Sequence, residues 1–178
     1  MRRSVRAFAN QPLRLSELGQ LLWAAQGITG PDDRRSAPSA GATYPLEVLV
    51  VAARVDGLAA GTYRYRPGEH ALTSVPAEDR LAGVVQASGG KRAWMEEAPA
   101  ILVLAAVEER TARRYGERAA RYVHMEVGAV AENVHLQAVA LGMGTTVVGA
   151  FDDERLRRAV GVEPEEQVLA LLPVGVPR

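Results

Sequence analysis

Leu46-Glu47-Val48-Leu49-Val50-Val51-Ala52 and, after a turn, Thr62-Tyr63-Arg64-Tyr65-Arg66 decide how this chain folds. The first run is rich in β-branched residues and too short for a lone helix, so it reads as a buried strand. The second alternates aromatic residues with arginine at period two and is closed by Pro67-Gly68. Asp56-Gly57 and Gly61 turn the chain between them, and strands joined by so short a link pair antiparallel.

Working outward, Leu15, Leu18, Leu21, Leu22 and Ala25 have the spacing of an amphipathic helix, with Ser16 as its N-cap and Gly27 as its stop. Thr29 to Tyr44 has no period and is rich in Gly, Pro, Ser, Asp and Arg. It reads as a long loop, and loops of that length in compact domains usually carry function. Downstream, Ala77 to Ala87 reads as a helix broken by Gly89-Gly90, Ala100 to Val107 as a second core strand, and Arg110 to Arg121 as a solvated helix with five Arg and one Glu.

Tyr122 to Leu141 is a long helix whose apolar residues are not confined to one stripe, so it must be covered nearly all round. Gly128, Ala129, Ala131, Ala138 and Ala140 would allow close backbone approach, which fits equally a central helix and a subunit interface. Gly142-Met143-Gly144 ends it, and Thr145 to Val148 reads as a strand. Asp152 caps a short helix that runs to Ala159 and stops at Gly161. Gln167 to Val176 is a last strand, and Pro173 inside it marks an edge or a bulge. Helices interspersed with antiparallel strands make the fold class α+β.

The 178 residues carry 21 basic and 21 acidic side chains, 48% hydrophobic residues and no cysteine. One soluble domain with a real core fits that size. Thiol redox chemistry, Fe–S clusters, zinc ribbons and disulfide scaffolds are excluded, so electron transfer would need an organic cofactor. Zero net charge argues against a nucleic-acid partner. No apolar run is long enough to span a bilayer and the Met-Arg-Arg-Ser start has no signal-peptide character, so neither a membrane partner nor export is expected and the expected compartment is the cytoplasm.

Several common motifs fail. Gly142-x-Gly144-x-x-Val147 lacks the third glycine of a dinucleotide fingerprint, and Val85 stands where a phosphate loop ending in Gly90-Lys91 needs glycine. Ala37-Pro38-Ser39-Ala40-Gly41 approaches a nucleophile elbow, but Asp32 to Ser36 cannot be the apolar strand before it. Glu132-x-x-His135 has di-iron spacing without the required second pair, so no metal is expected. His124 and His135 are read as satisfied core or interface histidines. One anion-binding pattern survives. Arg2, Ser4 and Arg6 project to one side of an extended segment with Arg3 behind them, and two guanidinium forks plus a hydroxyl suit a phosphomonoester. The plainer reading is a solvated basic cluster.

Arg2-Arg3-Ser4-Val5-Arg6-x-Phe8 resembles the opening signature of the nitroreductase-like flavoenzymes. Three further blocks follow in that family's order: Pro38 to Glu47; Glu126-x-Gly128 with Asn133-x-x-Leu136-x-Ala138 and Leu141 to Gly144; and Val148 to Phe151 with Pro173-Val174-Gly175. The resemblance covers residues 1–178 and implies a single FMN-binding domain: a three-layer α+β fold, with a central, mainly antiparallel sheet flanked by helices, in an intertwined homodimer holding FMN at its interface.

By the same resemblance, Arg2, Arg3, Ser4 and Arg6 bind the phosphate and ribityl chain, and Arg178 completes the phosphate site. Pro38, Ser39, Ala40 and Gly41 of the partner subunit line the flavin, while Val148 and Gly149 lie against its ring with a backbone N–H directed at N5. The Ala-Gly-Ala-x-Tyr-Pro-Leu-Glu form, with Ala42 and Tyr44 where many nitroreductases carry Asn and Gln, is similar to the thiazoline and oxazoline dehydrogenases of the streptolysin-S type. Their Lys-Tyr pair corresponds to Arg114-Tyr115, which makes Tyr115 the candidate catalytic residue, although a guanidinium is a poor base and a groove tyrosine is the plainer reading. The implied activity is FMN-dependent reduction of a small electron-poor acceptor, nitro or quinone-like, with NADH or NADPH as donor. Azoline oxidation and flavin binding with little turnover are the alternatives, and a hydrolase built on Ser39 would bind no flavin.

Overall fold

A computed structural model describes residues 1–77, 80–89 and 92–178. Strand β1 (Leu13–Arg14) leads into helix α1 (Leu15–Gln26), and after the long loop come β2 (Leu46–Ala52), β3 (Val55–Asp56), β4 (Gly61–Arg66) and β5 (Ala71–Val75). Helix α2 (Arg80–Ala87), strand β6 (Ala100–Ala106) and helices α3 (Glu109–Tyr115) and α4 (Ala119–Ala140) follow. Strand β7 (Gly144–Thr145), helix α5 (Asp153–Val160) and strand β8 (Gln167–Gly175) complete the chain. Six strands form one sheet in the order β5-β4-β2-β6-β8-β7, all pairs antiparallel, while β1 and β3 form a small parallel pair.

Alternation along the central strands builds two cores. Val48, Val50, Leu102, Leu104 and Leu172 face α1 and α4, whereas Leu49, Val51, Ile101, Val103 and Leu171 face α2 and α5. Each central strand is therefore buried on both faces, which is why β2 and β6 are continuous apolar runs. A bulge opposite Leu104 and Ala105 changes the parity of β8, so Val168 and Leu171 join the same core.

Several expected boundaries move. Ser16 is not the cap of α1: Arg14 precedes the first turn, its N–H donating to Glu17 Oε2 at 2.9 Å. The helix expected over Arg110–Arg121 breaks at Gly116, whose φ of 54° cannot continue an α-helix, and a 3-10 turn over Gly116–Arg118 leads into α4. Of the helix expected over Ala77–Ala87, Ala77 itself is not helical and α2 is described from Arg80, while residues 78 and 79, and Gly90 of its stop, lie outside the described residues. Asp152 and Gly161 bracket α5 as expected, the carboxylate accepting from Arg155 N–H at 2.8 Å.

The strand expected over Thr145–Val148 shrinks to Gly144–Thr145 plus a single bridge between Val148 and Leu171. The register is constant across this gap and sets Thr146 opposite Pro173. Pro173 has no N–H to give, so the ladder opens there and Thr146 and Val147 turn away.

Helix α4 is covered on one side only. Val123, Val130, Val134 and Ala138 are buried against the sheet and α1. Arg121, Met125, Gly128, Glu132 and Leu136 form an exposed stripe opposite, with Met125 62% and Leu136 54% exposed. Among the described residues no helix is long and apolar enough to cross a membrane.

Candidate functional site

The N-terminal segment runs extended beside β7. Ser4 bridges to Thr145 in parallel fashion and Val5 N–H donates to Thr145 O at 3.0 Å. Extended geometry sends alternate side chains to opposite sides. Arg2, Ser4 and Arg6 line one hollow of about 310 Å³, with Gly128 and His135 of α4 and Thr146 and Val147 of the opened ladder. Arg3 and Val5 line a different hollow, so Arg3 does stand behind the other three. Any side chain at Gly144 would strike Val5, which keeps this position open for the segment to lie close.

The hollow contains both signs of charge. Glu132 stands 3.7 Å from Arg2 Nε, with both side chains about half exposed (52% and 43%), and makes a loose ion pair worth little. His135 is 4% exposed; its Nδ1 lies 2.9 Å from Ala131 O, so Nδ1 carries the proton and donates, while Nε2 is buried without a partner. Val148 exchanges both backbone hydrogen bonds with Leu171 at 2.9 Å and has no N–H to offer a ligand. Its exposed neighbour Gly149 makes no hydrogen bond among the described residues.

The structure does not bring Arg178 to this hollow. Its guanidinium pairs with Glu97 at 3.1 Å and donates to Phe8 O at 3.3 Å, in a separate hollow. Backbone pairing fixes this direction, since Arg178 N–H donates to Ala7 O next to Phe8.

Pro38 to Gly41 sit on the other flank of α4. Glu126 Oε1 accepts from Ala40 N–H at 2.8 Å and from Ser39 Oγ at 3.1 Å, and Ser39 Oγ in turn accepts from Tyr44 N–H at 2.9 Å. Glu126 is 5% exposed, and burial pushes its carboxyl above the ordinary range despite the two hydrogen bonds. The loop is strained: Ala42 and Tyr44 have φ of 54° and 44°, where a Cβ is unwelcome. Tyr115 and Arg114 close over Gly41, where an added Cβ would come within 2.7 Å of the Tyr115 hydroxyl and 2.9 Å of Arg114 Nε. Arg114 also donates to Gly41 O at 3.2 Å, and Tyr115 packs edge-on against Tyr122 at 4.9 Å. Within one chain, then, the candidate residues form two groups on two flanks of α4.

Two site residues were not assigned roles from the sequence. Glu126 was visible only as part of a motif, and its partners lie 86 and 87 positions away. His135 was expected to be a satisfied histidine; it is buried, but half satisfied. His124 is exposed, because it faces away from the sheet. Among the described residues no group of three or more His, Asp or Glu is arranged to hold a metal ion.

The three-layer antiparallel fold thus holds a strained loop bound to a buried glutamate on one flank of α4 and an arginine-lined edge on the other. Residues 1–176 match the Nitroreductase family, and the chain belongs to it. A Methanocaldococcus jannaschii protein assigned as a nitroreductase (MJ1384) is 44% identical over 174 residues, 98% of this chain and 86% of that protein. The microcin B17-processing protein McbC of Escherichia coli is 28% identical over 134 residues, 73% of this chain but only 49% of McbC. A crystal structure assigned as a nitroreductase from Ralstonia eutropha superposes with a TM-score of 0.85 at 28% identity, covering 99% of this chain and 80% of that one.

Proposed function

We propose that the chain is an FMN-dependent oxidoreductase in which NADH or NADPH is the electron donor, a small electron-poor compound is the acceptor, and the working unit is a homodimer. The observation that carries this reading is the convergence of Arg2, Ser4 and Arg6 in one hollow beside the opened β7–β8 ladder. Two forked cations and a hydroxyl fit a phosphate, and the buried, unpartnered His135 Nε2 leaves one more polar atom for a ligand to engage. Bound FMN would supply hydride acceptance from the donor and electron delivery to the acceptor.

The chain's own residues would do the rest. Arg2 and Arg6 would hold the phosphate, with Ser4 donating between them and Arg3 adding positive potential from behind. Gly149, with no side chain, would let a flat ring approach the backbone, and the exposed Val147 would exclude water from part of one face of it, whereas the Val148 side chain is buried in the core against α2 and α5. Pro38, Ser39, Ala40 and Gly41 would arrive from the partner subunit, held in shape by Glu126. The exposed stripe of Met125, Gly128 and Leu136 supports that dimer, because it offers apolar surface next to the hollow. Arg178, held by Glu97, is left out of the phosphate grip.

A second reading, oxidation of an azoline ring, rests on the resemblance of the Ala40–Glu47 block to the azoline dehydrogenases, and the match to a microcin B17-processing protein is in keeping with it. Arg114 weighs against it, because it stays protonated and already clamps the Gly41 carbonyl. Tyr115 would then be the group within reach of a substrate on the loop. Anaerobic addition of NADH or NADPH to the FMN-reconstituted protein should bleach the visible flavin absorbance, and a nitroaromatic or quinone should restore it. A flavin that only dithionite reduces would overturn the reductase reading.

A further inference from the structure

A second cationic hollow lies at the C-terminal end of α1, away from the N-terminal arginines. Its volume is about 260 Å³, and Gln26, Arg35, Glu47, Arg66 and Arg110 contribute to its wall. Three arginines there face one carboxylate. Glu47 is already taken, by Arg110 at 2.7 Å and by Arg64 at 3.2 Å. Arg64 is held from behind by Glu166, with bonds at 2.5 and 2.8 Å.

Arg35 has no ion-pair partner among the described residues. Its Nη1 donates to the neutral Gln26 Oε1 at 2.8 Å, its guanidinium lies 4.6 Å from the centre of the Tyr44 ring, and its Nε is buried without an acceptor. Glu47 and Asp33 attract it from beyond contact distance and Arg110 repels it, while burial lowers its proton affinity below the usual arginine range. A half-buried cation that is fixed by neutral groups and has no carboxylate in contact among the described residues is costly, unless an anion completes it. Arg110 is also fixed, by Glu47 and by donation to Tyr44 O at 3.1 Å. Arg66 is exposed at the rim, with only a long contact to Thr73 at 3.5 Å.

We infer that this hollow is an oxyanion site for a phosphoryl group, gripped by Arg35 and Arg110 with Arg66 closing from the rim. The two fixed guanidinium forks and the excess positive charge match a dianion with several acceptor oxygens better than a monocarboxylate. Arg35 and Arg110 both touch Tyr44, the strained last residue of the loop that begins at Pro38. Occupancy would therefore stiffen that loop from behind. This site does not depend on the flavin reading.

The test uses the full chain carrying Arg2→Ala and Arg6→Ala, which disarms the N-terminal hollow, titrated calorimetrically with inorganic phosphate at constant ionic strength. Saturable one-to-one binding is expected, weakened roughly tenfold by adding Arg66→Gln, the size of one lost charge-assisted hydrogen bond. Arg35→Gln should weaken it more, and Arg66→Gln, at an exposed rim, covers the case in which Arg35→Gln fails to fold. Acetate should bind at least tenfold more weakly. Either inorganic phosphate alone or tighter binding of 2′,5′-ADP would support the site, the second assigning it to a nucleotide-borne phosphate. Phosphate binding that vanishes with Arg2→Ala/Arg6→Ala would overturn the proposal while supporting the flavin grip. Binding that survives unchanged in Arg66→Gln and Arg35→Gln would overturn it as well.

Discussion

Glu126 and Glu132 stand six positions apart on the same helix and have opposite circumstances. Glu126 is 5% exposed, with no cation in contact, and accepts two hydrogen bonds from the 38–41 loop. Glu132 is half exposed, faces Arg2 at 3.7 Å and makes no hydrogen bond among the described residues. The buried carboxylate organises structure because it accepts from both Ala40 N–H and Ser39 Oγ. The exposed one would only compete with an anion at the N-terminal arginines. Proximity of charge is thus a poorer guide to importance here than burial with hydrogen bonds.

The comparison can be broken or sharpened in order of expected effect. Arg2→Ala with Arg6→Ala should loosen FMN by roughly 3–6 kcal/mol, from about 1.5–3 kcal/mol per charge-assisted hydrogen bond. Flavin retained through gel filtration by the double variant would refute the grip. Glu126→Ala should cost about 2 kcal/mol of unfolding free energy by stranding the loop donors, and Glu126→Gln, which keeps an acceptor, should recover most of it. Equal denaturation midpoints for the two variants would show that the loop does not need the acceptor.

A smaller effect follows from acid. Burial raises the folded-state proton affinity of Glu126 above the unfolded one, so the native chain binds more protons and this residue's contribution to stability is lost as pH rises from the unfolded value through the folded one. Wild type should therefore gain on Glu126→Gln as pH falls through that window, as read by chemical denaturation at a series of pH values. A constant gap would contradict the assignment. Smallest of all, Glu132→Gln should tighten FMN two- to threefold, about 0.5 kcal/mol, by freeing Arg2. Weaker binding instead would mean that Glu132 positions Arg2 rather than distracting it.

Much of the architecture is legible in the residues. Leu46–Ala52 and Ala100–Ala106 were strands on composition because both their faces are buried, and Asp152 and Gly161 bracket α5 through local backbone chemistry. The alternation of Arg2, Ser4 and Arg6 was legible for the same local reason. Pro173 announced an irregular strand, but not that its missing donor would open the ladder opposite Thr146. Ser16 failed as a cap because Glu17 could reach back to Arg14, which starts the helix two residues earlier. Arg178 looked like part of the phosphate grip on sequence grounds, yet the pairing of its backbone with Ala7 delivers it to Glu97 instead.

The sequence by itself determined what depends on neighbours along the chain: strand and helix periods, caps, the extended basic edge and membership of the nitroreductase family. Only the tertiary structure decided which distant groups meet. It set Glu126 under the Ser39 loop, left Arg35 without an ion-pair partner among the described residues, and exposed one stripe of α4. The physical reason is that burial and hydrogen-bond satisfaction are properties of a packed volume, and a one-dimensional pattern carries them only where the partners are close in sequence.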